Sequence, residues 1–167
     1  MSNMLKAAVL CSAALASGMS WSATANNTFQ VTATVISSCT VSGTTLNFGN
    51  SIDPFSATTP LDSTSTLTVA CTNTTPYTVA LNAGTHAGGA TNFSARAIQN
   101  GSSTLGYQLY SDSNRSTVWG NGSNSSGQVS GTGSGSNQSL TIYGRLPSLT
   151  GAVPGSYTDT VTVTITY

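Results

Sequence analysis

The clearest pattern along the chain is an alternation of apolar and hydroxylated residues near its end. Over residues 157–167, one face carries Val161, Val163, Ile165 and Tyr167, and the other carries threonines. A period of two with β-branched residues on both faces is typical of a β-strand. Similar alternation predicts strands through much of the remaining chain. The predicted segments are residues 39–41, 45–48, 65–71, 77–83, 95–99, 104–111 and 138–146.

Turn-forming pairs such as Asn100-Gly101 and Pro154-Gly155 separate these segments. The stretch between residues 120 and 137 is rich in glycine and serine, and it is predicted to be a long flexible loop. Seven or eight short strands at this spacing predict an all-β fold, an antiparallel β-sandwich.

One further alternating segment, residues 26–36, is surplus to that number of strands. It places Phe29, Val31, Ala33 and Val35 on one face, opposite polar residues. The pattern fits an ordinary first strand of the sandwich. It also fits a donor strand that is held out from its own subunit and inserted into the incomplete sheet of a neighbour. The pattern alone leaves both interpretations open.

Residues 1–25 have the features of a secretory signal peptide. Lys6 precedes an apolar run of about ten residues, and Ala23 and Ala25 provide small residues for cleavage after position 25. The apolar run is too short to span a bilayer, which takes about 20 residues. We therefore expect an exported protein whose folded part begins after this segment.

The composition excludes several classes of protein. Only 5% of the 167 residues are charged, the formal net charge is zero, and there are 27 serines and 28 threonines. Four cations cannot neutralise many phosphates, so a nucleic-acid partner is not expected. Beyond the first 25 residues, no stretch has the period of an amphipathic helix.

Two cysteines, Cys39 and Cys71, remain after the signal peptide, which carries Cys11. An even number of cysteines in an exported protein favours a disulfide. A metal site and a catalytic thiol are the alternatives, but neither cysteine has a second Cys or a His within ligand spacing. A structural bridge is the preferred interpretation.

The sequence offers little for catalysis or metal binding, so we expect no enzyme activity, cofactor or metal site. His86 lies in a glycine-rich segment, as expected of a solvated loop residue. Asp53 and Asp112 are interpreted as turn-formers, and Asp159 as a residue that caps a loop or pairs with an arginine. Trp119 and the tyrosines could form a platform on which sugars stack, although such residues more often belong to the core of a small sandwich.

Several sequence blocks together resemble the spore coat protein U domain, the pilin domain of archaic chaperone–usher pili such as the Csu biofilm pili. Their order and spacing extend over nearly all of residues 26–167. The blocks are Cys39-Thr-Val-Ser-Gly, Leu46-Asn-Phe48-Gly49, Leu105-Gly-Tyr107-Gln-Leu109-Tyr110-Ser-Asp112, Trp119-Gly120-Asn-Gly122, Leu140-Thr-Ile142-Tyr143-Gly144-Arg145-Leu-Pro147 and Gly155-Ser-Tyr157-Thr-Asp159.

The resemblance implies an immunoglobulin-like sandwich, residues 37–167, that lacks its last strand and is completed by an inserted one. A periplasmic chaperone would supply that strand first, and an outer-membrane usher would exchange it for the N-terminal extension of the next subunit. The extension would be residues 26–36, and Cys39 and Cys71 would form the family's bridge. Carried over by position, the donor residues are Phe29, Val31, Ala33 and Val35, and the acceptor and chaperone-contact residues are Val161, Val163, Ile165 and Tyr167.

The function implied is that of a pilus subunit which reaches the cell surface through the periplasm, polymerises with other pilin subunits, and supports attachment and biofilm formation. No small-molecule substrate is expected. A secreted spore or cell coat protein of the same fold is the first alternative. A carbohydrate-binding module that uses Trp119 and the tyrosines is the second.

Overall fold

The computed structural model describes residues 21–167, and this part of the chain forms nine strands and one short 3-10 helix, Phe93–Ala95. The predicted signal peptide lies largely outside the described residues. No helix within residues 21–167 is long and apolar enough to cross a membrane. The strands are β1 (Cys39–Gly43), β2 (Leu61–Cys71), β3 (Pro76–Leu81), β4 (Ala97–Asn100), β5 (Ser103–Gly106), β6 (Gln108–Tyr110), β7 (Val129–Thr132), β8 (Asn137–Leu146) and β9 (Val163–Thr166).

The strands form two main antiparallel sheets, which confirms the predicted all-β antiparallel fold. The first sheet has the order β1-β2-β8-β6, and the second has the order β7-β3-β9. Strands β4 and β5 form a separate hairpin. Along β2 and β8 every second residue is more buried than its neighbours, as the alternating sequence requires when one face of a sheet covers a core.

The core lies between the two sheets. It combines Leu67 and Val69 of β2 with Val79 and Leu81 of β3, and Trp119 is enclosed with them. Trp119 also donates a hydrogen bond from its indole nitrogen to the carbonyl of Val79 at 3.0 Å, so the one polar atom of this side chain is satisfied.

The two cysteines form the expected structural bridge. Cys39 and Cys71 lie directly opposite each other on the paired strands β1 and β2, and their sulfur atoms are bonded. The bridge fixes the start of β1 to the end of β2. Since β1 has a hydrogen-bonded neighbour on one side only, this covalent link stabilises an edge strand.

Several predicted boundaries are wrong. Residues 45–48 form no strand, and the predicted strand 104–111 is divided into β5 and β6 at Tyr107, whose amide bonds to the carbonyl of Arg96 instead. The stretch predicted as a flexible loop contains β7, which pairs with β3 from Pro76↔Thr132 to Val79↔Val129. Tertiary pairing outweighs the turn-favouring composition there.

The chain divides into two units, Met1–Thr34 and Val35–Tyr167. In the described part of the first unit, residues 21–34, there is no regular secondary structure, and the same holds for residues 35–38. Residues 26–36 therefore do not form a strand in this structure, and the interpretation of this segment as an ordinary strand of the sandwich is wrong. The second unit contains all nine strands.

Candidate functional site

An open groove of about 1090 Å³ separates the edges of the two sheets in the unit Val35–Tyr167. Its floor is apolar and consists of core side chains that line the groove on one side. One rim is the segment that follows β1, and the other is the segment that leads into β9. The floor includes Leu67, Leu81, Leu105, Leu109, Ile142 and Leu146, and the rims include Leu46, Phe48, Ile52, Phe55, Tyr157, Val161 and Val163.

The second rim ends in a strand with an unpaired edge. Strand β9 pairs with β3 on one side and has no partner on the other within the described residues. The amide of Asn82 bonds to the carbonyl of Thr162, in register with the β3–β9 ladder. Because backbone groups alternate in direction along an antiparallel strand, the amides and carbonyls of Val163 and Ile165 point to the open side.

The opposite rim begins at another unpaired edge. Among residues 21–167, strand β1 pairs only with β2, and the amide of Thr44 continues this ladder by bonding to the carbonyl of Thr66. The same alternation therefore directs the backbone groups of Cys39, Val41 and Gly43 away from β2. The edges of β1 and β9 approach to within 8 Å between Cα atoms at their closest. Away from this closest approach, the groove opens between the segment that follows β1 and the segment that leads into β9, and Gly43 and Val163 are the residues of the two strands that line it.

The structure places the four predicted acceptor residues at different depths. Val161 and Val163 line the groove. Ile165 is half-buried and packs against the core, whereas Tyr167 is 58% exposed. Their side chains alternate with exposed threonines, as the sequence predicted, but only the first two face the open space of the groove.

The second rim is held in place by Asp159, which sequence reasoning assigned to a loop cap or an arginine pair. Its carboxylate, 3% exposed, accepts hydrogen bonds from the Tyr107 hydroxyl at 2.7 Å and from the Thr85 amide and hydroxyl at 2.9 and 2.7 Å. The Nδ1 atom of His86 lies 2.9 Å from the same carboxylate. Asp159 therefore caps the loop after β3, and its side-chain neighbours are Tyr107, Thr85 and His86, with no arginine in contact.

Burial and hydrogen bonding oppose each other at this carboxylate. Burial alone would raise the pKa of Asp159, but the bonds from Tyr107 and Thr85 outweigh it, and the pKa lies below its ordinary value. The pKa of Tyr107 is raised, first by burial and then by its bond to Asp159. Asp159 is consequently ionised, and Tyr107 is a neutral donor, at any pH near 7.

A buried arginine supports the same region, and sequence reasoning missed it. Arg96 is 1% exposed and donates to the carbonyls of Asn82 and Trp119 at 2.8 Å each and to the side chain of Gln108 at 2.8 Å. Burial lowers the pKa of Arg96 to about 10, so it stays charged. No pattern in one sequence distinguishes this arginine from a surface arginine on a strand.

The predicted donor residues are exposed. Phe29, Val31 and Val35 are 87%, 82% and 86% accessible, and Ala33 is also exposed. Large apolar side chains at this accessibility have a free-energy cost in water. Three such side chains at alternate positions of one segment, with Ala33 between them, indicate a surface that is covered in an assembly.

Of the residues considered for chemistry, only His86 and Asp159 come together. Among residues 21–167 there is no group of three or more potential metal ligands. Asp53 and Asp112 each accept bonds from amides two to five residues later, as expected of turn-formers. Trp119 is 0% exposed, so it cannot serve as a sugar-stacking platform, and that interpretation is wrong because the side chain belongs to the core.

Comparison with known proteins gives the family. The model of the Spore Coat Protein U domain matches residues 25–164, and the chain belongs to this family. Protein U of Myxococcus xanthus is 34% identical over 186 aligned positions, which cover 99% of both chains. The resemblance inferred from the sequence blocks is confirmed.

A solved structure shows a similar fold. It is a complex of a chaperone with a tip adhesion subunit, captured before assembly, from the archaic chaperone–usher Csu pili of Acinetobacter baumannii. The match has a TM-score of 0.57 and 25% sequence identity, and it covers 80% of this chain. The present chain corresponds to only 40% of the length of the matched chain.

Proposed function

We propose that this protein is a structural subunit of a chaperone–usher pilus and that it polymerises by donor-strand exchange. The observation that carries the proposal is that one chain contains both an open apolar groove and an exposed segment of alternating apolar and polar residues. The groove offers the free edges of β1 and β9, and the segment offers Phe29, Val31, Ala33 and Val35.

The physical fit between the two explains why exchange would be stable. An added strand would pair with outward backbone groups where the two rims are separated, and its alternate side chains would fill the space above the apolar floor. Burial of Phe29, Val31 and Val35 contributes about 1.5–3 kcal/mol each. Polar residues on the other face of the segment, such as Thr32 and Thr34, remain in water.

The open groove also accounts for the need for a chaperone. Unpaired strand edges beside an apolar floor aggregate unless they are covered. The matched structure is itself a chaperone–subunit complex, which supports a periplasmic chaperone and then an outer-membrane usher as partners of this chain. The fibre would extend from the cell surface, where it would support attachment and biofilm formation. This role requires no cofactor.

Unheated samples on a denaturing gel test the proposal. The exported protein is expected to give a ladder of SDS-resistant oligomers, and a variant lacking residues 26–36 is expected to give monomer only. The double substitution Val31→Asp/Val35→Asp should also abolish the ladder, whereas the matched control Thr32→Asp/Thr34→Asp should retain it. An unchanged ladder in the deletion variant would rule out residues 26–36 as the donor strand.

A second candidate is a secreted coat protein of the same fold. The end-to-end match with Protein U and the family to which the chain belongs favour it. Electron microscopy of cells that produce the chain together with a chaperone and an usher distinguishes the pilus function from the coat function. Thin fibres anchored at the cell surface support the pilus, and a continuous layer without fibres supports the coat.

A further inference from the structure

The surface cations of the protein are gathered in one place. After Lys6, the chain contains only three cations other than His86, namely Arg96, Arg115 and Arg145. Arg96 is buried, whereas Arg115 and Arg145 lie at the same end of the first sheet and both contact Asp62. Within residues 21–167, the two arginines that are not buried in the core thus lie together beside Asp62.

Two tyrosines lie between these arginines. Tyr110 of β6 and Tyr143 of β8 are directly opposite each other on neighbouring strands, and both are half-exposed. Their neighbours along each strand are buried, so the two rings face solvent on the outer side of the sheet. Neither hydroxyl has a hydrogen-bond partner within residues 21–167. We call Tyr110, Tyr143, Arg115 and Arg145 the tyrosine–arginine patch.

The turn that carries Arg115 holds it in an unfavourable backbone conformation. Its φ is +55°, in the left-handed region that non-glycine residues seldom adopt. The carboxylate of Asp112 accepts the amides of Ser116 and Thr117 and fixes this turn. The guanidinium of Arg115 then lies 5.9 Å from the centre of the Tyr143 ring. Backbone strain of this kind is frequent where a side chain is positioned for a ligand.

Asp62 orients both arginines without neutralising them. It accepts two bonds from Arg145, at 2.8 Å each, and lies 3.2 Å from the Nε atom of Arg115. One carboxylate between two guanidinium groups leaves one net positive charge. The Nη1 atom of Arg145 and the Nη2 atom of Arg115 have no partner within the described residues, so each can donate to a further anion.

We propose that the tyrosine–arginine patch binds an acidic polysaccharide, with sugar rings against Tyr110 and Tyr143 and sugar carboxylates on the free arms of Arg115 and Arg145. Guanidinium groups bind carboxylates through strong charge-assisted hydrogen bonds. The flat faces of tyrosine rings offer apolar contact area, and their hydroxyls can bond to sugar hydroxyls. The site is on the outer face of the first sheet and is separate from the groove.

A contact between two copies of this chain is the competing use of the patch, and the distribution of carboxylates favours the polysaccharide. Besides Asp62, the side-chain carboxylates of residues 21–167 are Asp53, Asp112 and Asp159, and each already accepts hydrogen bonds within the subunit. A repeating acidic polymer instead offers many unpaired carboxylates, whereas each patch has one net positive charge. Because several patches of an assembly could bind one polymer, binding would become tighter as the number of subunits increases.

The test compares two probes that differ only in charge, polygalacturonate and its methyl-esterified form, with the full-length protein at low ionic strength. We expect binding to polygalacturonate, weakening as salt is raised, and at least tenfold weaker binding to the ester. Equal binding to the two polymers, or no binding to polygalacturonate, would overturn the proposal.

Variants then locate the site. Arg115→Gln should weaken binding about tenfold and leave Asp62 paired with Arg145. The variant Arg115→Gln/Ser130→Arg restores the net charge on the second sheet and should not restore binding; full recovery would mean that net charge alone matters. Tyr143→Leu tests the stacking independently and should also weaken binding. Concentration-dependent self-association that Arg115→Gln abolishes would assign the patch to contacts between copies instead.

Discussion

The hydroxyl of Tyr107 donates a 2.7 Å hydrogen bond to the carboxylate of Asp159, and this bond joins the floor of the groove to its second rim. Tyr107 lies between β5 and β6, and Asp159 lies four residues before β9. The same carboxylate caps the loop at Thr85. The position of the rim that precedes β9 is thus set by one buried anion.

Replacement of this anion is expected to destabilise the fold. Asp159→Asn keeps the size of the side chain but removes the charge that Tyr107 and Thr85 bond to. Hydrogen bonds to a charged group contribute about 1.5–3 kcal/mol each, and part of this is retained by the amide. We expect a loss of about 1–3 kcal/mol in the free energy of unfolding, measured by urea denaturation at pH 7. An unchanged midpoint would contradict the role given to Asp159.

The contribution of Asp159 to stability should also be visible in the pH dependence of unfolding. The folded-state pKa of Asp159 lies below its ordinary value of 3.8. Its contribution is therefore fully present above about pH 4 and is lost as the pH falls through the folded-state pKa. Denaturation curves between pH 5 and pH 2 should show a smaller loss of stability in Asp159→Asn than in the wild type. Identical pH profiles would show that another group determines the acid sensitivity.

Two glycines with positive φ allow a matched test of the packing around Asp159. Gly84 has φ +93° and Gly88 has φ +71°, so alanine is strained at both, by about 1 kcal/mol. A Cβ at Gly84 would also collide with the carboxylate of Asp159, whereas a Cβ at Gly88 meets nothing within 4 Å. Gly84→Ala should therefore lower the unfolding midpoint well beyond Gly88→Ala. Equal decreases in the unfolding midpoint for the two variants would show that the Asp159 carboxylate does not pack against Gly84.

The buried guanidinium of Arg96 should not tolerate replacement by lysine. An ammonium group cannot reach the carbonyls of Asn82 and Trp119 and the side chain of Gln108 together, as the planar fork does. We expect Arg96→Lys to destabilise the protein by about 3 kcal/mol or more, because at least one buried carbonyl loses its partner. Arg145→Lys, on the surface, is the control and should change stability by less than about 1 kcal/mol.

Reduction of the disulfide should weaken the edge strand β1. Cys39 and Cys71 are 32 residues apart, and a loop of this length corresponds to about 3–4 kcal/mol in the chain-entropy model. The variant Cys39→Ala/Cys71→Ala should lose about that much stability in urea denaturation. Wild-type protein kept under reducing conditions should give the same midpoint, and a wild-type midpoint indifferent to reductant would contradict this account.

Sequence patterns predicted the strands best where one face is buried and the other is wet. Strands β2, β3 and β8 follow this rule because burial alternates along each of them. The same alternation is found around Val163 in β9. β7 escaped prediction because its residues, Val129–Thr132, contain one large apolar side chain and a glycine that lies under the Tyr77 ring. Its strand conformation comes from pairing with β3, which no local pattern encodes.

The groove was predicted from the family resemblance, whereas its supports were not predicted at all. Val161 and Val163 were named from the resemblance, but Arg96 and the bond between Tyr107 and Asp159 depend on contacts between residues far apart in sequence. These polar residues have their roles because they are buried. The burial of a single polar side chain produces no periodic pattern of apolar and polar residues in the sequence. The same limit explains why the two tyrosines opposite each other on β6 and β8 could not be paired beforehand.

Complementation between two defective copies tests the central claim most directly. One copy lacks residues 26–36 and retains the groove, and the other carries Val163→Arg in the groove and retains the segment. Each alone should remain monomeric on an unheated denaturing gel. Mixed, they should form an SDS-resistant dimer and nothing larger, because only one donor and one acceptor are intact. Persistent monomer in the mixture, with both copies folded and oxidised, would contradict donor-strand exchange through this groove.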